Sequence, residues 1–108
     1  MPTILHTADL HLGRSWSELG EAAERVSELH WNCFENLCRL AVERGAVALA
    51  MSGDLFDSPE PPAKLVEAVR GVLKRLRSQG VSVVIAPGTH DAAAGPRSVY
   101  RSGQLGSV

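Results

Sequence analysis

Three short stretches of the sequence place aspartate beside histidine or beside a second aspartate: ADLHLG at 8–13, SGDLFD at 52–57 and PGTHD at 87–91. Carboxylates and imidazoles without thiolates suit Mn, Zn, Fe or Mg rather than a structural cysteine-rich zinc site. Two ions sharing one carboxylate, roughly 3.5 to 4 Å apart, clamp a phosphate and activate a water. A histidine that is not a ligand could protonate the leaving oxygen. The residue types therefore indicate metal-dependent phosphoester chemistry.

Each of these stretches follows an apolar run that is typical of a β-strand. The predicted strands are TILHTA (3–8), VALAM (47–51) and VSVVIA (81–86). Apolar residues at three- and four-residue spacing predict one amphipathic helix from about Glu18 to Gly45 and a second, begun by SPEPP and ended by Gly80. We also expect a short helix from about Pro96.

The order β-α-β-α-β predicts an α/β fold with parallel strands joined by right-handed crossovers. Ligands of such sheets bind beyond the carboxyl ends of the strands. The sequence therefore brings the polar residues of all three loops to one edge: Asp9, His11, Asp54, Asp57, His90 and Asp91. Two helices can cover only one face of three adjacent strands, although strands two and three are apolar almost throughout. We therefore expect a further layer on the other face.

The composition is that of one ordinary globular domain at most. The 108 residues are 44% hydrophobic and 21% charged, with a net charge of -1, which excludes a strongly basic nucleic-acid-binding domain but allows a local basic patch. No apolar stretch approaches the roughly 20 residues of a membrane span, and the N-terminus lacks the features of a signal peptide. We expect a cytoplasmic protein. Cys33 and Cys38, on different faces of one helix, are expected to stay reduced.

The stretches DLHLG, GDLFD and GTHD resemble the first three motifs of the calcineurin-like metallophosphoesterases, D-x-H, G-D-x-x-[DH] and G-N-H-[DE]. The wider context, ILHTADLHLGRSW with SGDLFDSPEPP, is most similar to the DNA-repair exonuclease branch, the SbcD-type nucleases. The resemblance implies a four-layer α/β/β/α domain, of which residues 1–108 would form the N-terminal, incomplete part. It also implies a metal-dependent phosphodiester hydrolase.

The resemblance implies a metal site with two divalent ions in the complete domain, most often Mn, with Mg, Zn or Fe as alternatives. By position, Asp9 and His11 would bind the first ion and Asp54 would bridge both. Thr89 stands where the family has an asparagine ligand of the second ion, and it offers only a hydroxyl. The family's later histidine ligands have no counterpart among the four histidines here. We therefore expect this chain alone to bind one ion weakly.

Further roles follow from the same alignment of motifs. His90 would be the catalytic histidine beside the scissile phosphate, and Asp91 would orient its ring. Asp57 would support a ligand or stabilise its loop, and His6 would be structural. Arg14, just after the first motif, is placed to contact a phosphate.

The family resemblance also implies partners: DNA, an ABC-type coiled-coil ATPase and a second copy of the nuclease, with no membrane. Two alternative functions stay open. One is a phosphatase or cyclic-nucleotide phosphodiesterase of the same superfamily. The other is a truncated assembly module without catalytic activity, whose open sheet face is taken by a partner.

Overall fold

The fold is a parallel α/β arrangement, seen in a computed structural model that describes residues 1–93 and 95–105. Strand β1 (Ile4–Thr7) leads into a 3-10 helix (Ser17–Ala22) and helix α1 (Ala23–Glu43). Strand β2 (Ala48–Ser52), helix α2 (Ala63–Ser78) and strand β3 (Ser82–Ala86) follow. The strands lie in the order β1-β2-β3 and all pair in parallel, so the predicted fold class is confirmed.

Both long helices end where glycine predicts it. Gly45 and Gly80 have positive φ angles of 64° and 86°, which glycine adopts without steric cost. After α2, the amide of Gly80 donates to Arg77 and that of Val81 to Leu76, and α1 ends in the same way. This Schellman arrangement satisfies the last carbonyls of each helix and turns the chain directly into the next strand.

The start of the first helical segment is more broken than its periodicity predicts. Gly20, with φ 57° and ψ −121°, interrupts the 3-10 helix, so the regular α-helix begins only at Ala23. The predicted helix from about Pro96 is wrong. Residues 95–105 instead form successive turns, in which Ser98 accepts from the amides of Arg101 and Ser102.

The core lies between the helices and one face of the sheet. Helix α2 buries the predicted apolar stripe: Val66, Val69, Val72, Leu73 and Leu76. Helix α1 buries Phe34, Cys38 and Ala41, whereas Leu29 and Cys33 of the expected stripe are exposed. Both cysteines are free thiols, as predicted.

The second face of the sheet is open. Ile4 is 63% and Val84 59% exposed, although both lie in strands, while Leu49 and Met51 on the covered face are buried. The expectation that two helices cover one face is thus met, and the further layer stays a prediction. In the part of the chain that the structure describes, no helix combines the length and apolar character that crossing a bilayer requires.

Candidate metal centre

The loops after β1 and β2 run side by side beyond the end of the sheet. The amide of Asp9 donates to the carbonyl of Gly53 at 3.0 Å, and that of His11 to the carbonyl of Asp54 at 2.8 Å. A parallel bridge between Leu12 and Phe56 continues this pairing. The two motifs are therefore fixed to each other by backbone hydrogen bonds before any side chain is considered.

Three of the predicted metal ligands have a strained backbone. Asp9, His11 and Asp54 have φ angles of 56°, 51° and 52°, and they are the non-glycine residues with positive φ in the described ranges 1–93 and 95–105. Aspartate and histidine adopt this left-handed region more readily than most residues, but it still carries a cost. Such strain persists only where surrounding contacts enforce it, and it concentrates at functional sites.

Asp54 lies at the centre of the three loops and is only 8% exposed. Its Oδ1 accepts the backbone amide of His90 at 2.8 Å, and its Oδ2 lies 3.1 Å from Nδ1 of the same residue. Burial by itself raises the pKa of Asp54, but the hydrogen bonds and charge of His90 outweigh it, so the pKa lies below its ordinary value. The carboxylate is therefore ionised at neutral pH.

His11 completes a cluster around that carboxylate. Its Nε2 lies 3.7 Å from Asp54 Oδ2, and its ring meets the ring of His90 edge-on with centroids 4.8 Å apart. One donor atom from each of His11, Asp54 and His90 lies within 4.8 Å of the others. Two imidazoles and a carboxylate at this spacing can hold one divalent ion.

Asp57 is the neighbour that orients His11. Its Oδ1 lies 3.0 Å from His11 Nδ1. With Nδ1 occupied by this carboxylate, Nε2 is the nitrogen left for an ion, and it is the one that faces Asp54. A carboxylate behind a histidine ligand fixes its tautomer and raises its basicity.

Asp9 and Thr89 lie at the border of this cluster. Asp9 is exposed and does not belong to the group of three converging side chains. The hydroxyl of Thr89 lies 3.4 Å from His90 Nδ1, so it adjoins the imidazole. Their roles as ligands of the first and second ion stay predictions.

Asp91 has different partners from the one expected. The ring of His90 contacts Asp54, whereas the carboxylate of Asp91 is fully buried and accepts from the amides of Gly88 (2.7 Å) and Phe56 (3.2 Å) and from the hydroxyl of Tyr100. The described contacts of Asp91 thus join loops rather than orient the ring. A direct catalytic role of Asp91 stays a prediction.

Arg14 is held beside the first motif. Its guanidinium lies 4.2 Å above the ring of Trp16 and donates to Glu18 at 3.3 Å, with the side chain half exposed. A phosphate would meet a guanidinium that already shares one carboxylate, and its contact with Arg14 stays a prediction. Sequence reasoning missed both Glu18 and Tyr100, because neither carries a motif that links it to the site.

Gly88 offers a direct test of how closely the loops must approach. A Cβ at this position would meet the carboxylate of Asp54 and lie 2.5 Å from the Asp54 amide nitrogen. We expect Gly88→Ala to displace Asp54 and weaken Mn²⁺ binding by about 10- to 100-fold. Gly71→Ala, where a Cβ meets nothing within 4 Å, should leave Mn²⁺ binding unchanged. Equal affinity of both variants, measured by calorimetry, would contradict this packing.

Tyr100 gives a test at alkaline pH. Burial, and after it the hydrogen bond to Asp91, raise the pKa of its hydroxyl well above the ordinary value of about 10. Its stabilising contribution is complete below about pH 10 and is lost as the pH rises through the raised value. Because the chain has one tyrosine, its ultraviolet absorbance isolates this group. Tyrosinate should form only together with unfolding; reversible ionisation near pH 10 in the folded chain would contradict the contact.

The curated relatives of this chain are DNA-repair proteins. It is 33% identical over 91 residues to the DNA double-strand break repair protein Mre11 of Aeropyrum pernix, covering 84% of this chain and 21% of that protein. It is 30% identical over 97 residues to the protein of the same name from Sulfurisphaera tokodaii, covering 90% and 24%. No family model matches the chain.

A bacterial relative shows the same similarity. The chain is 31% identical over 91 residues to SbcD, the smaller-lettered component of the SbcCD nuclease of Escherichia coli K12, covering 84% of this chain and 22% of that protein. The chain thus spans only about a fifth of the length of the relatives it matches. By homology it belongs to the calcineurin-like metallophosphoesterases, in the branch of the Mre11 and SbcD nucleases, and corresponds to the N-terminal part of those proteins.

Proposed function

We propose that this chain carries the first part of the metal centre of a phosphodiester hydrolase that acts on DNA in repair. The observation that carries the proposal is the convergence of His11, Asp54 and His90 at the carboxyl edge of the sheet, with donor atoms within 4.8 Å of one another. Three loops that are far apart in the sequence contribute one donor each. A structural cluster would not require two of these residues to have left-handed backbone angles.

The donors present fit a divalent ion. Asp54 is ionised, His11 has Nε2 free, and the set contains nitrogen and oxygen donors without sulfur, which suits Mn²⁺. By resemblance, Asp9 joins Asp54 and His11 around the first ion and Thr89 replaces the amide ligand of the second. When bound, such an ion lowers the pKa of a water and stabilises charge on the phosphate oxygens.

The protein's own groups have separate tasks. Asp54 holds His90 through the backbone and through Nδ1, which leaves the other ring nitrogen of this half-exposed side chain for substrate. There His90 donates a proton to the leaving oxygen. Arg14 contacts a flanking phosphate, and Trp16 beneath it keeps the guanidinium near the first motif.

DNA is the proposed substrate because the relatives are named as a nuclease component and as double-strand break repair proteins. In the longer protein we propose an ABC-type coiled-coil ATPase as partner and a second copy of the nuclease across a dimer interface. The described chain then forms part of a single domain whose further layers cover the open face of the sheet.

A cleavage assay tests this function. With Mn²⁺, the chain should cleave the ends of linear duplex DNA slowly, and His90→Asn should lower the rate about 10²- to 10⁴-fold without changing Mn²⁺ affinity. His6→Asn is the matched control, because this histidine contacts Ser52 on the open sheet face and should leave the rate unchanged. Hydrolysis of nitrophenyl phosphate esters with intact DNA would instead assign a phosphatase.

A further inference from the structure

The segment that follows the third motif returns to the loop after β2. The amide of Val99 donates to the carbonyl of Pro59 at 2.7 Å, and Val99 is 1% exposed. The next residue, Tyr100, packs its ring against Phe56, with centroids 6.5 Å apart. Tyr100 is thereby fixed between the second and third loops, and its hydroxyl points to the carboxylate of Asp91.

Asp91 joins the two loops through its two oxygens. Oδ1 accepts the amide of Gly88 in its own loop, and Oδ2 accepts both the amide of Phe56 in the loop after β2 and the hydroxyl of Tyr100. Phe56 lies two residues after Asp54, and Gly88 two residues before His90. The two residues that must meet in the centre are thus connected through one buried carboxylate.

We propose that Tyr100 is a positioning residue that acts through Asp91 to fix the separation between Asp54 and His90. A fully buried carboxylate needs donors around it, because its uncompensated charge would draw in water. The hydroxyl of Tyr100 is the donor from outside the two loops. Without it, Oδ2 keeps the Phe56 amide alone, at 3.2 Å, and the loops are joined less firmly.

The consequence for the centre is geometric. The contacts of His90 with Asp54, at 2.8 and 3.1 Å, depend on the distance between the loops, and so does the approach of Gly88 to the Asp54 carboxylate. A small shift of one loop would break these contacts together, because neither loop has a side chain with slack at this point. The inference rests on the proposed function only in taking Mn²⁺ as the ion.

The test compares Tyr100→Phe with Val99→Ala in the whole chain. The first removes one hydroxyl and keeps the ring beside Phe56; the second removes buried methyl groups from the same segment and keeps the hydroxyl. Tyr100→Phe should weaken Mn²⁺ binding by about 10- to 100-fold and speed hydrogen exchange at the His90 amide in the metal-free chain. Val99→Ala should lower the melting temperature while changing neither quantity.

The outcomes separate this inference from the proposed function. Unchanged exchange at the His90 amide in Tyr100→Phe, or an equal effect of Val99→Ala, would overturn the positioning role. If the unsubstituted chain binds no Mn²⁺, the proposed function fails, and the exchange data on metal-free chains still decide whether Tyr100 positions His90.

Discussion

The buried carboxylate of Asp54 imposes the constraint on which the surrounding loops depend. A carboxylate that is 8% exposed costs several kcal/mol unless hydrogen bonds replace its water. The replacement comes from the next loop, through the backbone amide and ring of His90. Because a backbone amide has one fixed direction, this contact determines the path of residues 88–91 as well as the position of the imidazole. The negative charge is thereby kept in place for an ion.

The same constraint explains the distribution of strain. Asp9, His11 and Asp54 adopt left-handed backbone angles, and the hydrogen bonds between the first two loops hold them there. The energy for this comes from elsewhere in the fold: the buried stripe of α2 and the Schellman turns make the sheet rigid enough to carry its loops. Stability and site geometry are thus opposed locally and reconciled by the core.

How much of this was predictable follows from the range of the interactions. The strands, the glycine helix ends and the meeting of three loops at one edge depend on local patterns and on the parallel order, and the structure confirms them. The contact of Asp91 with Tyr100 joins side chains from separate turns with no periodic pattern, so no sequence rule indicated it. The helix expected from Pro96 failed because Ser98 engages nearby amides in turns.

The open sheet face and the uneven metal centre have a common physical cause. The three strands offer one face to the two helices and leave Ile4 and Val84 on the other, and the three loops offer ligands for one ion with little for a second. The central claim is therefore that this chain has a single, weak divalent site built on Asp54. Calorimetric titration with Mn²⁺ tests it most directly. The account predicts one weak site per chain that is absent in Asp54→Asn; two tight sites, or binding that survives this substitution, would contradict it.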